Sequence, residues 1–145
     1  FTFTPTPGLS LPENNTDAII VDFATGTGKL TLLSNDYPLL RFQPGEPIPL
    51  KDVKSLVVHL IPSSNETTKP DIQIYFWIPR GGGWKYIEPT WGDNPIDYPD
   101  DYVLPSGDIF IAIRNWGTKT VVLNNVIFTL VVETQDGAIK TYGQK

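Results

Sequence analysis

The sequence predicts an all-β fold: a single-domain antiparallel β-sandwich or jelly roll, preceded by an extended N-terminal strand on an arm. Three observations support this prediction. Apolar residues occur in short β-branched or aromatic runs, the spacing of an amphipathic helix is almost absent, and Gly, Pro, Asn and Asp separate the runs. We expect the arm to span residues 1–17 and the sandwich to span residues 18–145.

The length of 145 residues fits one domain with its own hydrophobic core. Hydrophobic residues make up 40% of the chain and charged residues 19%, which is the balance of a folded protein. The predicted strands span, in order, residues 1–6, 18–24, 29–33, 39–42, 53–61, 72–78, 84–87, 108–115, 120–123, 126–133 and 138–142.

The alternation of apolar and polar residues along these runs indicates which faces of the strands are buried. In residues 53–61 both faces are mostly apolar, so we expect a central strand that is covered on both sides. The dipeptide at 136–137, Asp-Gly, predicts a hairpin. The dipeptide at 124–125, Asn-Asn, predicts a turn, and residues 79–105, rich in Gly and Pro, predict a long irregular region.

The composition excludes several kinds of site. There is no cysteine, which excludes disulfides, thiolate metal ligands and cysteine nucleophiles. The net charge of −5 argues against a broad surface for nucleic acid. No stretch of the sequence is long and apolar enough to span a membrane. The absence of Cys and Met, together with 14 prolines, is typical of a thermophile or harsh-environment protein.

The sequence contains no recognisable catalytic constellation, so we expect neither an enzyme nor a cofactor. His59 is the only histidine, and it lies in the middle of a predicted strand with no nucleophile-elbow motif near any serine. Glu88 with Asp93 or Asp97 offers the paired carboxylates of a glycosidase. Their Gly- and Pro-rich surroundings favour an ordinary loop instead.

The densest acidic run contains Asp93, Asp97, Asp100 and Asp101. Hard cations such as Ca²⁺ bind several carboxylate and carbonyl oxygens on a flexible loop. The spacing of these residues does not match the EF-hand pattern, which needs a Gly in mid-loop and a terminal Glu. The sequence therefore favours a solvated turn; these four residues are weak candidates, and no metal site is predicted.

A set of aromatic residues is concentrated around the long irregular region. Exposed aromatic side chains bind sugar rings, anchor subunits to one another, or pack in a core. The sequence leaves these three roles open. The main candidates for an interface or for sugar stacking are Trp77, Trp84, Tyr86 and Trp91.

Two features suggest export from the cell. The chain starts with Phe instead of Met, which leads us to expect a processed N-terminus after signal-peptide removal and an extracellular or cell-surface location. Asn14 and Asn65 each begin an N-x-Thr sequon in a polar stretch, so both are candidate sites for N-linked glycans.

The N-terminal residues Phe1, Thr2, Phe3 and Thr4 alternate large apolar and small polar side chains, as a strand does. Prolines at positions 5 and 7 block further pairing. This strand either pairs within its own sheet or adds to a groove in the next copy of the chain. The second arrangement does not close on itself and therefore produces a filament.

Two segments, DFATGTGKLTL at 22–32 and LRFQPGE at 40–46, resemble the opening of TasA/camelysin-type jelly-roll proteins. The segment IRNWGTKTV at 113–121 is similar to strand ends of archaeal surface-filament subunits. The resemblance implies a homopolymeric subunit of extracellular filaments, such as bundling pili or threads, joined by donor-strand complementation. A carbohydrate-binding or adhesive module and a virion capsid decoration protein are the alternatives.

Overall fold

The computed structural model describes residues 18–63 and 69–143, which form two β-sheets packed face to face. A single turn of 3-10 helix spans Pro99–Asp101. The strands are β1 (Ile19–Asp22), β2 (Leu30–Leu32), β3 (Leu39–Gln43), β4 (Leu50–Pro62), β5 (Ile72–Ile78), β6 (Gly83–Ile87), β7 (Gly92–Pro95), β8 (Ile109–Asn115), β9 (Val121–Thr134) and β10 (Ile139–Gly143).

The first sheet, here called the front sheet, has the strand order β1-β3-β8-β5-β6. Its pairs are antiparallel except β1 with β3, which run parallel. The back sheet has the order β10-β9-β4-β7, and β2 pairs with the first residues of β9. The two longest strands, β4 and β9, pair over most of their length and form the centre of the back sheet.

The core lies between the sheets and is built from the side chains of alternate strand positions. At its centre, the rings of Phe42 and Phe128 meet edge to face with centroids 4.5 Å apart. Phe23 and Phe76 pack against Phe128 at 6.2 Å and 6.1 Å. Aromatic side chains from both sheets therefore join the two layers.

The predicted all-β sandwich is confirmed, and the hairpin at positions 136–137 joins β9 to β10 as expected. The strand order does not establish a jelly roll. The strand at 53–61 is central, as predicted, but only one of its faces is fully covered. Leu56, Val58 and Leu60 are buried, whereas Val57, His59 and Ile61 are half-buried.

Two local predictions are wrong. The Asn-Asn pair at 124–125 is not a turn but part of β9. The Asn125 side chain accepts a hydrogen bond from the Gly28 N–H and donates one to the Thr25 carbonyl, so it ties the β1–β2 turn to a continuous strand. The region 79–105, predicted as irregular, contains β7, which pairs with β4. The sequence Gly-Asp-Asn-Pro carries little strand propensity, so β7 depends on that pairing.

Within the described ranges, no helix is long and apolar enough to cross a membrane. The predicted boundary between arm and sandwich stays a prediction, because residues 1–17 lie outside the described part of the chain.

Candidate functional site

Two short edge strands, one from each sheet, border an apolar groove at one side of the sandwich. β1 ends the front sheet, and β2 is paired, among the described strands, with β9 alone. The groove between them has a volume of about 540 Å³. We call it the seam groove, and it is lined by Ile19, Leu30, Thr31, Leu32, Asn35, Asp36, Tyr37 and Pro38.

Ile19 shows that the core is open at this seam. It lies on the same face of β1 as Val21, which points into the core and is 4% exposed. Ile19 is nevertheless 48% exposed. Leu30, on the inward face of β2 with the buried Leu32, is also only half-buried. Inward-facing side chains of both sheets therefore lack full cover here.

The wall of the seam groove is a turn held by hydrogen bonds to the end of β8. Asn35 adopts a left-handed backbone conformation with φ of 70°, which Asn tolerates better than most residues. Its N–H donates to the Asn115 carbonyl at 2.8 Å, and the Asn115 N–H donates to the Asp36 carbonyl at 2.9 Å. The Asp36 carboxylate also accepts the Leu33 N–H at 2.9 Å. The groove thus has one rigid side.

The outer face of the front sheet carries three of the predicted aromatic residues, Trp77, Trp84 and Tyr86, in cross-strand pairs. Trp77 lies opposite Trp84 and Tyr75 opposite Tyr86, with ring centroids 5.3 Å apart in both pairs. Tyr75 and Trp84 also pack around Ala112, which is buried. Burial raises the pKa of Tyr75, so its hydroxyl stays protonated and acts as a donor.

The four candidate aromatic residues occupy different environments. Trp77 is 4% exposed and is therefore buried, although it lies on the outer face. Trp84 is half-buried against Tyr75, and Trp91 is half-buried against the main core. Tyr86 is the exposed member of the set, with 51% of its surface accessible.

Tyr86 borders a depression on this face, with a volume of about 470 Å³, which we call the outer cleft. Trp116 in this depression is not among the predicted residues, because a Trp-Gly pair after a strand is typical of a turn. The feature of the sequence that could have identified Trp116 is a large aromatic side chain directly after a strongly apolar strand. The outer cleft is lined by Gln73, Tyr75, Tyr86, Glu88, Arg114 and Trp116.

The acidic residues of the predicted loop do not converge. Among the described residues, no group of three or more His, Asp or Glu side chains is placed to hold a metal ion. Asp100 and Asp101 belong to the exposed 3-10 turn, and Asp97 is exposed beside it. Asp93 contacts His59 instead, and Glu88 lies 3.8 Å from the ammonium of Lys69.

His59 joins two neighbouring strands on the outer face of the back sheet. Its Nδ1 lies 2.5 Å from Asp93 Oδ1 on β7, and its Nε2 lies 2.8 Å from Thr129 Oγ1 on β9. A carboxylate, an imidazole and a hydroxyl in this order resemble a catalytic triad. Thr129, however, sits in the middle of a strand paired on both sides, whose backbone N–H groups serve the sheet. The contacts therefore favour a cross-strand polar ladder.

Several predicted sites lie outside the described residues. These are the N-terminal strand residues Phe1, Thr2, Phe3 and Thr4 and the glycosylation candidates Asn14 and Asn65. Their proposed roles therefore stay predictions.

Comparison with known proteins adds no further evidence on function. No family model, no curated protein and no solved structure matches this chain. The seam groove and the outer cleft are therefore the two candidate sites of this chain.

Proposed function

We propose that this chain is a structural subunit of an extracellular filament, and that it polymerises by β-strand addition. The strand formed by residues 1–4 of one copy would dock in the seam groove of the next copy. The observation that carries this proposal is the 48% exposure of Ile19, an inward-facing residue at the edge of the front sheet. A soluble sandwich normally covers such a position.

The N-terminal sequence matches the chemistry of the groove. In a docked strand Phe1 and Phe3 would point between the sheets, and Thr2 and Thr4 would face solvent. The groove is lined by aliphatic side chains of Ile19 and of β2, which suit phenyl rings. The backbone of the added strand would pair with the edge of β1 that no described strand occupies.

The position and length of the arm permit exchange between copies. The arm joins the sandwich at Ala18, directly before β1, so each copy carries its groove beside the root of its own arm. Residues 5–17 can extend about 40 Å, far enough to reach either the same copy or a neighbour. Exchange with a neighbour creates a heterologous contact that repeats along a filament.

Electron microscopy and sedimentation of the full chain test the proposal, together with a variant that lacks residues 1–6. We expect filaments from the full chain and monomers from the truncated chain. Adding a peptide of residues 1–6 to the truncated chain should fill the groove without forming filaments.

Two point variants localise the contact. Ile19→Lys places a charge in the seam groove and should abolish polymerisation. Ile20→Lys, at the adjacent position on the opposite face and 58% exposed, is the matched control and should leave filaments intact. The proposal is wrong if the truncated chain still polymerises, or if the full chain stays monomeric at every concentration tested.

A further inference from the structure

The outer cleft presents two exposed aromatic rings on one rigid sheet. Tyr86 is 51% exposed and Trp116 is 45% exposed, and both line the same depression. The inner face of Tyr86 packs on Tyr75, with an angle of 35° between the rings. The supporting residue is buried, so Tyr86 is held in place while its other face stays accessible.

Polar groups in the cleft are oriented by the protein. Gln73 Oε1 accepts hydrogen bonds from Tyr75 Oη at 2.9 Å and from Arg114 Nη1 at 3.4 Å. These two bonds fix the amide so that Nε2 is its remaining donor group, and within the described chain Nε2 has no partner. Glu88 adds a half-exposed carboxylate to the same cleft.

We propose that the outer cleft binds a neutral sugar unit of a glycan. The C–H faces of a hexose ring pack on exposed aromatic rings such as Tyr86 and Trp116, and its hydroxyls need both donors and acceptors. Gln73 and Arg114 supply donors, and Glu88 supplies an acceptor.

The charges of the cleft lining balance, so the lining gives a charged ligand no net advantage over a neutral one. Arg114 and Glu88 contribute one charge of each sign, so an acidic sugar would meet the Glu88 carboxylate and gain little net attraction. A nucleic acid is also disfavoured, because the chain carries a net charge of −5. The shallow cleft suits one or two sugar rings of a longer polysaccharide.

This inference is independent of filament formation. The outer cleft and the seam groove share no lining residue, although the turn that forms one wall of the seam groove is hydrogen-bonded to Asn115, next to Trp116. A filament of such subunits would display many copies of the cleft, and weak single contacts would then add up to strong adhesion.

Affinity electrophoresis through gels that contain a soluble β-glucan, a mannan or a galactan tests the inference. The variant lacking residues 1–6 is run beside the full chain, so that polymerisation does not affect mobility. We expect at least one polysaccharide to retard both proteins. Trp116→Ala and Tyr86→Ala should each weaken the apparent affinity about tenfold or more, and Trp116→Tyr should retain most of it.

Tyr98→Asn is the matched control. Tyr98 is the most exposed aromatic residue of the described chain, lies outside the cleft, and has a left-handed backbone that Asn tolerates. This variant should bind as the parent does. The inference is overturned if none of the three polysaccharides retards the parent chain, or if Trp116→Ala and Tyr98→Asn lose affinity equally while circular dichroism shows both folded.

Discussion

The outer faces of the two sheets differ in how deeply their side chains are buried. On the three central strands of the front sheet, five outer residues are buried, although they point away from the other sheet. These buried residues are Leu39, Tyr75, Trp77, Phe110 and Ala112. On the back sheet, Ile127 is buried, but its neighbours on the outer face are half-buried. These neighbours are Val57, His59, Ile61, Thr129 and Val131.

The sandwich therefore has a second packing surface, on the outer face of the front sheet, in addition to its main core. An antiparallel sheet with one solvated face normally alternates apolar and polar side chains. The outer face of the back sheet mixes half-buried apolar residues with a polar ladder through His59 and ion pairs at Glu133. The front sheet departs from that alternation, and its aromatic cluster supports the outer cleft. Substitutions should therefore cost more stability on the front face than on the back face.

The largest expected difference in stability is between the truncation of a leucine on the front face and of an isoleucine on the back face. Leu39→Ala on the front face should lower the free energy of unfolding by about 2–4 kcal/mol, because it leaves a cavity beside Ala112. Ile61→Ala on the back face removes the same number of carbon atoms from a half-buried site and should cost about 1 kcal/mol. Urea denaturation of both variants measures the two values. Equal losses would contradict the idea of a second packing surface.

A smaller difference is expected between the ion pairs of the two sheets. Arg41 Nη2 lies 2.5 Å from Asp108 Oδ2, and the Asp108 side chain is only 7% exposed. The Arg41 guanidinium also lies over the Phe110 ring, 5.2 Å from its centroid. Arg41→Met leaves a buried carboxylate without its cation and should cost about 2 kcal/mol, since the arginine itself is partly solvated.

Lys51→Met is the matched change on the back sheet. Lys51 Nζ lies 3.4 Å from Glu133 Oε2 and is well exposed, so its loss should cost about 0.5 kcal/mol or less. Adding Asp108→Asn to Arg41→Met should recover part of the loss, because it removes the unpaired charge. If the Lys51 variant loses as much stability as the Arg41 variant, burial does not distinguish the two faces.

Much of the fold follows from local sequence. Runs such as β5 and β8 are rich in β-branched and aromatic residues, and the Asp-Gly pair specifies the last hairpin. β7 could not be predicted, because its strand conformation comes from pairing with β4. The turn expected at Asn125 fails for the same kind of reason: the side chain bonds to a segment about a hundred residues away.

The candidate sites were harder to predict than the strands. The sequence locates the aromatic set around the long irregular region, but it does not separate buried Trp77 from exposed Tyr86. The seam groove joins Ile19 to β2 across two different sheets, and only the three-dimensional arrangement brings them together. Trp116 also lines the outer cleft, although its local sequence is typical of a turn.

The smallest expected effect concerns the polar ladder of the back sheet. His59→Ala removes the imidazole between Asp93 and Thr129, both of which can then be hydrated, so the global loss should be about 1 kcal/mol or less. β7 keeps its backbone pairing with β4, and the Asn94 amide also donates to the Val58 carbonyl at 3.4 Å. Hydrogen exchange should increase in β7 and stay unchanged in β8. A global loss as large as that of Leu39→Ala would mean that the back face is also a packing surface, and the contrast between the two sheets would fail.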